Sequence, residues 1–448
     1  MSMKSVIDWR VPAACAVLAF PALAQAQVEA TWAEDVMPIF QAKCQECHRP
    51  DSIAPMSLLT YEQVSAFAPL IRYRVENRVM PPWHVNPDVG IQDFINERGL
   101  TPEERETILA WVDQGAPQGD MSLAPAPLEF EEALVWRLQE QMGSPPDLVV
   151  ESEPYDLPAV TQDKWFRPLV PTGLTEEKWV KAIEIRPKDA QTRQVVHHAL
   201  AFLLQNETEM VGLPEDADIP LGPRLFMEWA VGKAGQIFRP DSGKLMLPDS
   251  QILWEVHLHA MGERVPNAQV EIGVWFHEEP PRHRTILSML DARGPRSLDI
   301  PPNEIAVTQG TFVLAAPARL ENFQPHMHMR GKAMSMEAIY PDGNREMLAF
   351  VDNFQWNWQI NYVFAEDAAP LVPKGTMIIT TAWHDNTANN PYNPDPTQWV
   401  GWGDRTVDEM AHNWVDVTYL GQEDYERMLA ERNARLAQKQ TQNQAESE

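Results

Sequence analysis

The sequence predicts a multidomain protein, with a small all-α domain followed by two all-β sandwich domains, and three observations support this. Its 448 residues exceed one compact domain and suggest two or three. Helical apolar spacing appears early, where Val36, Ile39 and Phe40 form one stripe. After that, long helical patterns are missing until the tail, and short alternating runs between Pro, Gly, Asn and Asp clusters take over.

Residues 1–26 have the build of a secretory signal: Lys4 and Arg10, an apolar stretch from Val11 to Leu23, then small residues around Ala22-Leu23-Ala24-Gln25-Ala26. Cys15 would leave with it, so the exported chain keeps Cys44 and Cys47 and has no structural disulfide. A periplasmic or secreted location is the expectation. The formal charge of -28 and pI near 4.8 argue against nucleic acid or anionic lipid as partners. No later stretch is long and apolar enough to span a membrane.

Residues 28–122 carry Cys44-Gln45-Glu46-Cys47-His48, a C-x-x-C-H run. Two thiols this close to a histidine suit one covalent haem c, because the thiols add across the haem vinyl groups and His48 supplies an axial ligand. The alternatives are a thiol redox pair or half of a zinc site, and no second Cys pair exists to complete the zinc site. Met80, in Val79-Met80-Pro81-Pro82-Trp83, is the expected other axial ligand, with Met56 and His84 as competitors. Thr101-Pro102-Glu103-Glu104 is a capping box with proline at the first helical position, opening a helix through Trp111 to Gly115. Together these features read as a small cytochrome c domain.

Residues 123–146 form a proline-rich linker with a short helix around Glu131 to Met142, ending at Gly143-Ser144-Pro145-Pro146. Strands are expected at Trp179 to Ile185, Val195 to Leu204, Gln251 to His259, Val270 to Phe276, Gly310 to Ala316, Lys332 to Ile339 and Thr376 to Trp383. They divide into domains at 147–300 and 301–422. The tail, 423–448, is polar on all sides and reads as a frayed helix or disorder.

Three histidine pairs stand in the β region: His197-His198, His257-x-His259 and His326-x-His328. Residues i and i+2 of a strand share a face, so each H-x-H pair could aim two imidazoles at one point. Adjacent His197 and His198 would point apart in a regular strand, and sharing a metal requires a twist, bulge or strand end. Imidazole suits copper, iron and zinc alike, and an added thioether biases the choice toward copper.

Val196-His197-His198-Ala199, Glu255-Val256-His257-Leu258-His259, Pro325-His326-Met327-His328-Met329-Arg330-Gly331 and Asp408-Glu409-Met410 resemble, in that order, the motifs of the copper type II, ascorbate-dependent monooxygenases. The resemblance covers roughly residues 145 to 420. It implies two jelly-roll-like β domains, each holding one copper across an open cleft. On that pattern His197, His198 and His257 hold an electron-transfer copper. His326, His328 and Met410 hold the copper that binds dioxygen and substrate, and His259 is left beside the first site. His384 precedes a Pro/Asn-rich loop and is expected to be structural.

Two departures bear on substrate. The peptide-amidating members carry an arginine where this chain has Gln324, and a tyrosine where it has Trp414, so peptide amidation is not expected. The expected function is hydroxylation of a C–H bond in a small organic molecule by dioxygen, with electrons passed from a periplasmic donor through the haem to the two coppers. The alternative is a non-catalytic haem and copper electron-transfer or copper-handling protein.

Overall fold

The structure is a computed structural model that describes residues 30–447 apart from 51, 53, 131–134, 209–210, 215–218, 220–223, 231–234 and 293–296. The expected signal segment and the start of the linker helix lie outside the described residues. The structure is mostly β, with 36% strand against 18% helix, and the expected small all-α cytochrome domain is not evident among the described residues.

What replaces it is a helical N-terminal region tied into the β-structure. The helices Met37–Lys43, Tyr61–Ala66, Ala68–Glu76 and Pro102–Asp113 follow a π-turn at Trp32–Val36. They gather Trp32, Phe40, Ile108 and Trp111 into one apolar cluster. The Thr101 hydroxyl accepts the Glu104 N–H at 3.1 Å, and the Glu104 carboxylate accepts the Thr101 N–H at 2.8 Å, so the capping box forms as its residues dictate.

Between these helices the chain leaves the cluster. Val85–Gly90 is a strand antiparallel to Arg345–Val351, at the edge of a five-stranded sheet with Gly331–Ile339, Met377–Asp385 and Ile305–Val313. Trp83, Val85 and Phe94 are buried with Phe323, Met334 and Tyr362, and the Trp83 ring lies 4.7 Å from that of Tyr362. The sequence hides this strand for a physical reason. Val85-Asn86-Pro87-Asp88-Val89-Gly90 does not alternate and contains a proline, which a sheet tolerates at its edge. Its partner is far along the chain, beyond any local pattern.

The two β regions keep separate apolar cores, yet they are not two self-contained sandwiches. One 11-stranded sheet runs through both; its main path has the order Leu148–Glu151, Val270–Phe276, Lys178–Pro187, Ser242–Met246, His283–Met289, His412–Tyr419, Ala318–Leu320, Leu371–Val372, and Gly235–Ile237, Asn322–His326 and Tyr362–Val363 pair off that path. The join is the antiparallel pairing of His283–Met289 with His412–Tyr419, Thr285 opposite Thr418. Alternation marks the buried face of a strand and says nothing about its neighbour, so the join is invisible in sequence. Beside it, Lys244 and Asp416 form a buried ion pair at 3.0 Å.

A second sheet of the first β region contains Lys164–Phe166, Gln251–Leu258, Val196–Leu204 and Arg224–Ala230. Leu200, Phe202 and Leu225 from this sheet meet Leu287 and Trp414 in an apolar seam between the two regions. The tail is a helix, Gln422–Ser447. Tyr425, Met428 and Leu429 give it one short apolar stripe against Leu371 and Leu420, and Arg435 and Lys439 bind Asp367 at 2.8 and 2.7 Å.

Candidate metal centres

His198 faces His257 across the antiparallel pair Val196–Leu204 and Gln251–Leu258, but the next partners are Leu258 and Val196. His197 is therefore the extra residue of a β-bulge, the irregularity that two adjacent histidines need to aim at one point. The imidazoles of His197, His198 and His257 converge, with one nitrogen from each lying within 4.8 Å of the others. Nδ1 of His197 is 3.1 Å from Nδ1 of His198. Nδ1 of His257 is buried without a hydrogen-bond partner, an orphan that a metal would satisfy.

Asp163, which the sequence does not single out, fixes this group. Its carboxylate contacts Nε2 of His257 at 3.0 Å and Nδ1 of His259 at 2.7 Å. The contact occupies Nε2 of His257 and leaves Nδ1 for a metal, the usual arrangement around a metal-binding imidazole. Trp165 stacks on His257 at 4.3 Å and holds the same plane. His259 is exposed and stands outside the convergent set, bound to Asp163.

The second pair sits at the end of Asn322–His326 and in the turn after it. His326 and His328 are both buried, with ring centroids 5.5 Å apart. Nδ1 of His328 lies 3.2 Å from the Asp408 carbonyl, which leaves Nε2 available, and Nδ1 of His326 is buried without a partner. The buried Glu409 carboxylate accepts the N–H groups of His328 at 2.9 Å and Arg330 at 2.5 Å. It thereby ties the His326-x-His328 turn to the segment that presents Met410. Burial pushes the Glu409 carboxyl up to about 8. Gly331 ends the turn because a Cβ there would meet Cβ of Met327 at 2.6 Å. His384 supports the same segment, its Nε2 3.0 Å from the Met410 carbonyl.

Two rings flank His326: Trp414, which the sequence marks only as a departure from the family pattern, and His412, which it does not mark. Trp414 stacks on His326 at 4.7 Å, and His412, held by Asp291 at 2.8 Å, stacks at 6.0 Å. Gln324 is buried and donates to Glu228 across the seam. The seam thus brings the two histidine groups within electrostatic reach, and His326 and His328 help to hold down the proton affinity of His198.

In the C-x-x-C-H run, Nδ1 of His48 lies 3.2 Å from the Met56 carbonyl, leaving Nε2 for a metal. Burial pushes the Cys44 thiol up to about 12 and raises Cys47 as well, the opposite of what a thiol redox pair needs. Met56 and Cys44 both pack against the N-terminal apolar cluster, whereas Met80 packs against the core of the second β region. His84 is buried, its Nε2 has no partner, and burial lowers it to about 4.

Burial also lowers His197 and His328 to about 4, and His198 and His326 well below the ordinary value. The unfolded chain protonates first as pH falls, so the stability gained by burying these rings neutral is complete above pH 6.5 and lost toward pH 4. The metal-free protein is expected to show a urea midpoint that falls steadily over this range. Loading with copper is expected to move that fall to lower pH, because the metal competes with the proton. A midpoint independent of pH would contradict the buried, neutral assignment.

No protein-family model and no curated protein matches the chain. Similar solved structures include a VP2 subviral particle of infectious bursal disease virus, at 12% identity over 64% of this chain and 78% of that one, with a TM-score of 0.19. Another is a two-domain protein of unknown function from Bacteroides fragilis, at 9% identity over 64% of this chain and 100% of that one, with a TM-score of 0.14. Likeness at this level carries no argument about fold or function.

Proposed function

We propose that the chain is a periplasmic, haem-coupled copper monooxygenase that hydroxylates a C–H bond of a small organic molecule with dioxygen. The observation that carries this reading is the bulge-made convergence of His197, His198 and His257 across an apolar seam from a second buried pair, His326 and His328. The ordered motif resemblance adds to it.

His197, His198 and His257 would hold one copper, and His326, His328 and Met410 the other. Copper supplies one-electron redox chemistry and, at the position left open by three protein ligands, a place for dioxygen. The chain's own residues set up that chemistry. Asp163 and the Asp408 carbonyl orient His257 and His328, and the low proton affinity of the rings keeps their nitrogens free at neutral pH. Leu200, Leu287 and Trp414 line the seam with apolar surface. Gln324, tied to Glu228, offers no guanidinium to a substrate carboxylate, which sets peptide amidation aside.

Cys44 and Cys47 would carry one covalent haem c with His48 as an iron ligand, a reading that their spacing and the free Nε2 of His48 support. The Met56 carbonyl lies 3.2 Å from Nδ1 of His48, and Met80, the ligand expected from the sequence, packs against the core of the second β region.

Met410→Leu is expected to lower product formation by at least about 100-fold, a loss on the scale of disabling a tuned metal site, while haem and the His197/His198/His257 copper remain. Transfer of an atom from labelled dioxygen into product is the readout, and undiminished transfer would contradict the assignment. One observation favours the alternative of electron transfer without oxygenation. Trp414 lies flat on His326 at 4.7 Å and narrows access to that side of the pair. Electron exchange between haem and copper in the reduced protein, with no dioxygen consumption beyond that of the copper-free protein and no labelled product from any substrate, would support that alternative.

A further inference from the structure

A small cavity of about 30 Å³ lies at the join of the two β regions, walled by the strands Arg224–Ala230, Ser242–Met246 and His283–Met289. It has room for about two water-sized groups. Three cations stand in its wall: Arg224, Lys244 and Arg284. Two of them are already neutralised, since Lys244 binds Asp416 at 3.0 Å and Arg284 donates to Glu207 and to the Val211 carbonyl. The neutral polar side chains of the wall are engaged as well. Gln205 bonds the Leu245 carbonyl and the Leu247 N–H, and Thr285 bonds Thr418. Arg224 differs, because its Nε and Nη2 are buried without a hydrogen-bond partner among the described residues.

Nε and Nη2 form one edge of the guanidinium, an edge that can meet a carboxylate through two parallel N–H···O bonds. A buried cation with that edge empty is costly unless an anion supplies the missing charge and acceptors. Burial, and then the nearby Arg284 charge, weaken the hold of Arg224 on its proton, and an anion would restore it. Leu225 and Leu287 belong both to the cavity wall and to the apolar seam, so apolar surface stands beside the charge.

We propose that the cavity binds the carboxylate of a small organic acid, with the Nε and Nη2 edge of Arg224 as its anchor. Two carboxylate oxygens answer the two unpartnered nitrogens, and one negative charge matches the one cation left over. Leu225 and Leu287 take a short hydrocarbon group. The site stands apart from the haem and copper reading, and its test depends on neither metal.

The test titrates the purified protein with acetate and with acetamide, a neutral molecule of the same shape, in a buffer free of other carboxylates. Binding is followed by calorimetry and by the thermal unfolding midpoint in wild type, R224Q, R224K and, as an exposed control, R264Q. Acetate is expected to bind saturably and raise the midpoint, and acetamide to do neither. R224Q is expected to weaken acetate binding at least about tenfold, the scale of losing hydrogen bonds to a charged group. R224K keeps the charge without the two-pronged edge and falls between, while R264Q matches wild type. If R224Q does not fold, R224K and the comparison of acetate with acetamide in the wild type still decide the matter. Equal effects of acetate and acetamide, wild-type affinity for acetate in R224Q, or chloride binding as tightly as acetate would overturn the proposal.

Discussion

His257→Ala is expected to remove one of two copper equivalents and to stop haem-driven turnover, with a loss greater than the 10–100-fold typical of disturbing an outer partner of a metal ligand. His257 is the central ring of its group, 5.0 Å from His197 and 4.9 Å from His198 between centroids, stacked on Trp165 and oriented by Asp163. Removing it leaves two imidazoles, too few for a stable closed site. Copper analysis separates this from global damage, because the His326/His328/Met410 copper is expected to remain. Retention of both coppers by the variant would show that the convergence has no binding role.

The second large effect concerns stability. Lys244→Met is expected to cost about 3–5 kcal/mol, the range for leaving one buried charge without its partner. Lys244 is 6% exposed and Asp416 fully buried, and the lysine also donates to the Phe226 carbonyl at 2.8 Å. Gln236 alone would remain on the Asp416 carboxylate, at 2.8 Å. Because the pair bridges the two β regions at the shared sheet, the loss is expected to appear as one cooperative transition at lower urea. A variant as stable as the wild type would show that the join contributes little.

How much of this was legible in sequence depends on how local each feature is. Val270 to Phe276 and the Thr101 capping box are written in adjacent residues, and the structure reproduces both. The need for an irregularity between His197 and His198 follows from strand geometry alone, and the bulge is there. Asp163 was not legible as a site residue, since an isolated carboxylate has no spacing to mark it, and Glu409 was legible only as part of the Asp408-Glu409-Met410 motif, its bonds to the His328 turn being made through tertiary contact. The all-α domain failed for the same reason. A C-x-x-C-H run and a capped helix describe their own neighbourhoods, while the Val85–Gly90 strand is defined by a partner at Arg345–Val351. Pairing across the chain, which periodicity does not encode, decided where the N-terminal region belongs.

The most direct test of the haem and two-copper assignment is the metal and haem content of the purified protein, followed by the rate of haem reoxidation in dioxygen with and without copper. The predicted result is one haem and two coppers, with fast reoxidation only when copper is present. Zinc or no metal in the histidine sites, or reoxidation indifferent to copper, would contradict it.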